Sequence, residues 1–181
     1  MKDHASGSGE DPARRWTIDQ GRASLALTAA GMGEFEWDLA GDRFFVSDRM
    51  AAITGVPAGP MPAEGGEASF AFVHPDDAAG LRAVVADCLD REDRYDVRYR
   101  IIRPDSGQVR WMDSAAVLVR GAGGAIEKVI GVVRDISERK AEEDEREALV
   151  AELDHRVKNV LATVHSLASQ SARRTVSWMF F

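Results

Sequence analysis

Residues Tyr99 to Met112 read YRIIRPDSGQVRWM, and the alternation on either side of their Pro104-Asp105-Ser106-Gly107 centre decides the fold. Upstream, Tyr95, Val97, Tyr99 and Ile101 alternate with Asp96, Arg98 and Arg100. A period of two marks a strand with one buried face. Proline, aspartate, serine and glycine in succession make a turn. Downstream, Val109 to Arg120 alternates again, with Trp111, Asp113, Ala115, Val117 and Val119 on one side. Gly121-Ala122-Gly123-Gly124 forms the next turn, and Ile126 to Ile136 supplies a third strand. The stretch is therefore an antiparallel meander.

Working outward toward the N-terminus, Gly33 to Leu39 (GEFEWDL) sets Phe35 and Trp37 on one face and Glu34, Glu36 and Asp38 on the other. Ala40-Gly41-Asp42 turns the chain into a second short strand, Arg43 to Ser47, so the two form a hairpin. Asp48 to Thr54 reads as a short helix closed by Gly55, and Pro57 to Gly66 as a loop. His74-Pro75-Asp76-Asp77 opens a longer helix that ends near Asp90. Proline suits the first helical position, and two aspartates complement the positive end of the helix dipole. His74 caps this helix, and Leu81, Val84, Val85 and Leu89 carry its apolar spacing. Cys88 reads as a small buried thiol. Phe35, Phe44, Phe45, Trp37 and Trp111 read as core. Trp16 to Ala30 forms a further short helix ending at Gly31, and Met1 to Arg15 is a polar, disordered tail.

Composition narrows the function classes. The 181 residues carry 23 Lys+Arg against 30 Asp+Glu, a formal charge of −7, which argues against general nucleic-acid binding. One cysteine excludes a disulfide framework. No apolar run approaches the ~20 residues needed to span a bilayer, and the polar first residues are not a secretory signal. The expectation is a cytoplasmic protein without a membrane contact. No histidine or cysteine pair has the spacing of a metal site, and neither GxGxxG nor GxxxxGK[ST] occurs.

From Asp135 the character changes. Acidic and basic residues dominate to Glu147, with opposite charges at i,i+4: Arg139 with Glu143, Lys140 with Asp144, Glu142 with Arg146. Such pairs contribute ~0.2–0.5 kcal/mol each and favour an exposed helix. No proline or glycine interrupts Glu138 to Phe181, so one long helix is expected. At about 100° per residue from Leu149, the residues Leu153, Val157, Val160, Val164 and Leu167 fall within about 80° of it. Val150 and Leu161 extend the arc to about 120°. His155 falls near 240°, opposite its centre, while His165 sits near 160° at its edge and reads as structural. Lys158 and Asn159, at i+3 and i+4, lie beside His155. Imidazole is a competent nucleophile near neutral pH, and neighbouring cations favour transferred phosphate charge.

The β-β-α-α-α-β-β-β order resembles a PAS domain over about Gly33 to Lys140. The residues that carry it are GEFEWDL, FVHPDD (Phe72 to Asp77), YRIIRPDSGQVRWM and GVVRDISERK (Gly131 to Lys140). The resemblance implies an α+β fold: a five-stranded antiparallel sheet with flanking helices, able to hold a ligand on its inner face. Asp135-Ile136-Ser137 resembles the short signalling motif at the exit of such sheets. A second resemblance is shorter: ELDHRVKN (Glu152 to Asn159) is similar to the phosphoacceptor region of HWE-type sensor histidine kinases. It implies His155 as phosphoacceptor, with Arg156, Lys158 and Asn159 as motif companions. The expected organisation is a tail at 1–15, a helix at 16–31, a PAS sensor at 32–136, and a signalling and phosphoacceptor helix of a dimeric bundle at 137–181.

By this resemblance the chain is the sensory and phosphoacceptor part of a two-component histidine kinase. Its partners would be a second copy, a response regulator and a small-molecule ligand. ATP and magnesium enter only with the ATP-binding domain of the intact protein, whose nucleotide motifs this sequence lacks, and Ser177 to Phe181 does not resemble the expected continuation. The alternative is a non-catalytic dimerisation or ligand-binding adaptor. The flavin-bonding PAS relatives need an asparagine-cysteine-arginine-phenylalanine run, which is missing here, so no covalent flavin, no haem and no metal is expected. Purified protein should show no visible absorption band. A flavin or haem band that survives dialysis would overturn that reading.

Overall fold

The computed structural model describes residues 22–91 and 94–177, with side chains described through 159 and at 161. The elements, in chain order, are helix α1 (residues 22–29), strands β1 (Met32–Asp38) and β2 (Arg43–Val46), helix α2 (Asp48–Thr54), strand β3 (Gly59–Pro62), a 3-10 segment (Glu64–Phe70), helix α3 (Pro75–Arg91), strands β4 (Tyr95–Ile102), β5 (Val109–Arg120) and β6 (Ile126–Asp135), and helix α4 (Ser137–Ser177). The tail and the expected start of the first helix lie outside the described residues. The chain divides into two compact units, one ending at Ser137 and one beginning at Glu138.

The first unit is built on one antiparallel sheet of order β3-β2-β1-β6-β5-β4. The expected hairpin and meander both form, and β6 joins them by pairing with β1 from Met32↔Arg134 to Asp38↔Lys128 and with β5 on its other side. The sheet has six strands where five were expected. The extra strand, β3, lies within Pro57 to Gly66, which its prolines and glycines had marked as loop. It pairs only with β2, as an edge strand. An edge leaves every second N–H without a ladder partner, so Pro60 and Pro62 cost nothing there.

The alternation sets the core. Phe35 and Phe44 stack with ring centroids 5.6 Å apart, and Val46, Ile101, Met112 and Val133 are almost fully buried around them. Phe45, read as core, is 47% exposed, because it stands between the inward-facing Phe44 and Val46 on β2. Trp111 is likewise off the core face. Its neighbours Met112, Ser114 and Ala116 point inward, and its own ring carries the Arg100 guanidinium 5.5 Å from the ring centroid. Cys88 is buried, as expected.

Charges close the edges of this layer. Arg103, at the start of the β4–β5 turn, donates from Nη1 to the Ala52 and Ile53 carbonyls at the end of α2, 3.1 and 2.7 Å away. Those are carbonyls that the helix itself leaves unpaired. Asp105 holds the guanidinium through Nε and Nη2, and this hydrogen-bonded pairing keeps the Asp105 carboxyl down at about 2.

Two glycines admit close approaches. A Cβ on Gly33 would lie 2.4 Å from Met50 Cα, where α2 crosses β1, and one on Gly131 would lie 2.3 Å from Phe35 Cζ and 2.7 Å from the Ala115 carbonyl. At Gly33 the obstacle is backbone and cannot rotate away. Gly33→Ala should therefore destabilise the domain by about 1–3 kcal/mol or more, read as a lower denaturant midpoint. An unchanged midpoint would mean that α2 does not pack on β1 as described.

Candidate functional site

Three places carry the functional expectations: a cavity inside the sheet, the exit from β6, and one face of α4. The cavity lies between the inner face of the sheet and the helices. It offers about 40 Å³, enough for a few water-sized occupants at roughly 10–15 Å³ each. Phe35, Trp37 and Phe44 line it from the hairpin, Phe70 and Phe72 from the segment before α3, and Leu81 and Val85 from α3. Tyr95 and Tyr99 line it from β4, and Met50, Ser69 and Val129 complete it. Burial pushes the Tyr99 phenol up to about 12, with a hydrogen bond to the buried Ser114 acting the other way. Burial raises Tyr95 as well. Both phenols are therefore neutral at physiological pH, and the lining is apolar and aromatic. Trp37 Nε1 is buried with no hydrogen-bond partner in the structure. An orphaned buried donor costs on the order of 1–3 kcal/mol. Cys88 is not among the lining residues.

The exit is held by backbone bonds to a single residue of β5. Ile136 N donates to the Trp111 carbonyl at 2.9 Å, and Trp111 N donates to Ser137 Oγ at 2.9 Å. Asp135 Oδ1 accepts from Ser137 N at 2.8 Å, while its other oxygen lies 3.7 Å from Arg110 Nη1. Ile136 itself is 4% exposed. The three motif residues thus share one task, fixing the first residue of α4 to β5. Aspartate and serine suit it because short polar side chains reach local backbone groups.

On α4, the expected single helix is present from Ser137 to Ser177. Arg139 pairs with Glu143 at 3.7 Å, and Lys140 bonds to Glu143 at 2.8 Å, one turn position short of the expected Asp144. Leu149, Val150, Leu153, Val157 and Leu161 are all more than half exposed. The side chains of Val160, Val164, His165 and Leu167 lie outside the described residues. His155 is exposed. Its Nδ1 stands 3.4 Å from Asn159 Nδ2, so the i+4 neighbour does reach the ring. Arg156 is engaged by Glu152 one turn back. Lys158 is exposed beside them.

Several contributors escaped the sequence reading. Asp77 was read only as a dipole complement and Arg100 only as an outward strand residue, yet they bond to each other. Arg103, Asp105 and Ser114 were not singled out either. An arginine flanking a Pro-Asp turn was the one available signal for the first two. Among the described residues no cluster of histidine, cysteine or acidic side chains could hold a metal ion, and no helix is long and apolar enough to cross a membrane.

Comparison with known proteins agrees with this geometry. The family model described as "PAS fold" matches residues 43–133, and that described as "HWE histidine kinase" matches residues 152–179. A blue-light-activated histidine kinase of Brucella ovis is 36% identical over 81 residues, which make up 45% of this chain and 16% of that kinase. Its counterpart in Brucella anthropi is 38% identical over 79 residues, 44% of this chain and 15% of that one. The chain thus aligns with only a small part of the curated relatives it matches. Among solved structures, a sensory box histidine kinase/response regulator from Burkholderia thailandensis superposes with a TM-score of 0.61 at 26% identity, covering 74% of this chain and 98% of that one. The N-terminal domain of a diguanylate cyclase with a PAS/PAC sensor from Marinobacter aquaeolei shares the fold, with a TM-score of 0.53 at 20% identity over 60% of this chain and 98% of that one.

Proposed function

The chain belongs to the PAS fold family and carries an HWE histidine kinase segment in residues 152–179, and from that premise we propose that it is the sensory and phosphoacceptor part of a two-component sensor kinase, with His155 as the residue that takes phosphate. The observation that carries this reading is the position of His155 inside the kinase-matched segment as an exposed side chain within reach of Asn159. Neutral imidazole attacks the γ-phosphorus of ATP, the bond to ADP breaks, and the imidazole proton passes to solvent or a nearby base. Lys158, three residues on from His155 along the helix, is the cation this reading assigns to pairing the new phosphate's charge, while Arg156 pairs with Glu152. The phosphoryl group then moves to an aspartate of a response regulator. ATP and magnesium come with an ATP-binding domain of the intact kinase.

The PAS cavity serves as the sensory end in this proposal. A room of about 40 Å³ with aromatic walls suits a small, mostly apolar occupant that offers an acceptor to Trp37. The residues do not fit a covalent flavin. Cys88 is absent from the lining, and no asparagine-cysteine-arginine-phenylalanine run occurs in the sequence. The light response in the names of the Brucella relatives is therefore not carried over to this chain.

The exposed apolar residues of α4 support a second copy as partner. Burying a Leu or Val side chain contributes about 1.5–3 kcal/mol, so Leu149, Leu153, Val157 and Leu161 together supply enough to offset the entropy of association. Light scattering at high micromolar concentration should show a dimer, and a monomer there would sink the pairing. The phosphoacceptor is tested by adding an active ATP-binding domain and labelled ATP. Label should appear on this chain in an acid-labile, base-stable bond, vanish in His155→Ala, slow in Asn159→Ala and survive His165→Ala. Label that persists in His155→Ala would leave the adaptor reading in place of the kinase one.

A further inference from the structure

The lead into α3 is zipped to the outer edge of β4. Ile102 N donates to the Phe72 carbonyl and His74 N to the Arg100 carbonyl, each at 2.8 Å. Asp77, in the first turn of α3, then grips Arg100 three times: its Oδ2 accepts from Arg100 N at 2.7 Å and from Nε at 2.9 Å, and its Oδ1 accepts from Nη2 at 2.7 Å. These hydrogen bonds hold the Asp77 carboxyl below the usual carboxylate range. The same guanidinium lies over the Trp111 ring, 5.5 Å from its centroid, and Arg100 and Trp111 are direct partners in the β4–β5 register. The backbone of Trp111 is what holds Ile136 and Ser137. One residue of β5 therefore carries on its ring the Arg100 guanidinium that Asp77 of α3 holds, and on its backbone the bonds to Ile136 and Ser137. One and two turns farther along, α3 contributes Leu81 and Val85 to the cavity wall.

We propose that Asp77, Arg100 and Trp111 are positioning residues that couple the seat of α3, and with it the filling of the cavity, to the bonds that fix α4 to the sheet. The coupling deepens the sensory reading of the cavity above, but its first link can be measured without any phosphate chemistry. The carboxylate–guanidinium contact is bidentate and stiff, unlike a lysine pair, so a displacement of α3 is passed on rather than absorbed. Contacts of this kind count as a path only when coupling is measured.

The experiment is residue-resolved hydrogen exchange on the full chain. The Ile136 and Trp111 amides report directly on the two exit bonds. In Asp77→Ala, the side chain of which touches neither amide, both should exchange about tenfold faster, while the Phe35 and Val129 amides in the middle of the sheet keep their rates. Asp77→Asn, which keeps an acceptor for Arg100, should give a smaller rise in the same two amides. Arg100→Lys, which loses the bidentate plane, should match Asp77→Ala. Ser137→Ala serves as the positive control, freeing the Trp111 amide directly. Unchanged Ile136 and Trp111 rates in folded Asp77→Ala and Arg100→Lys would overturn the coupling, as would an equal rise at every amide, which would mean general loss of stability. If Asp77→Ala does not fold, Asp77→Asn and Arg100→Lys decide by the same two amides. Phosphate labelling of His155 is read separately. A selective exchange response without labelling would sink the kinase reading and keep the coupling, and labelling without the exchange response would do the reverse.

Discussion

Strand β6 is the constraint on which the rest of the first unit depends. It is the one partner shared by the N-terminal hairpin and the β4–β5 pair, and its pairing with β1 joins residues about a hundred positions apart in the chain, such as Met32 and Arg134. Such a contact carries a large loop-closure cost and is rewarded only when the whole interface forms. The interface here is tight because Gly131 leaves room for the Phe35 ring between β1 and β5. A side chain at that position would force apart the strands that define the inner face. The cavity, the core and the exit to α4 all follow from this register, since the last residue of β6 is Asp135.

The ends of the sheet are secured differently, by arginine. Arg103 with Asp105 closes the end of α2, and Arg100 with Asp77 closes the start of α3. Each guanidinium satisfies backbone or carboxylate groups that helix termini leave open. Both arginines belong to β4 or the residue just after it, so this outer strand, bonded to a single neighbour in the sheet, is the element to which two of the three helices before the meander are tied. The outer strand of a sheet is also the easiest to shift, because only one side of its ladder is paired with another strand. That makes it a natural place for movement of a helix to enter the sheet.

Helix α4 follows another logic. Its first turns are held by charge pairs such as Lys140–Glu143, and farther along it exposes Leu149, Leu153, Val157 and Leu161. Propensity and surface pairs alone give marginal helices in water. Helical spacing sets Leu149, Leu153, Val157 and Leu161 along one side of α4 and His155 on another.

The sequence alone determined the alternating strands of the meander, the hairpin at GEFEWDL, the helix opened by His74-Pro75-Asp76-Asp77 and the unbroken C-terminal helix, because each is a local pattern written in period two or period 3.6. It also determined the place of His155 relative to Leu149 and Leu153, since helix geometry fixes angles from spacing. Only the tertiary structure decided that Gly59–Pro62 is a strand, because an edge tolerates prolines that a local reading takes for a loop. Only it decided that Phe45 faces out and that Trp111 meets both Arg100 and Ser137, because burial depends on which face of a strand meets the core, and pairings between elements depend on register. Local chemistry chooses the elements, and the long-range pairing of β6 with β1 chooses which of their side chains meet.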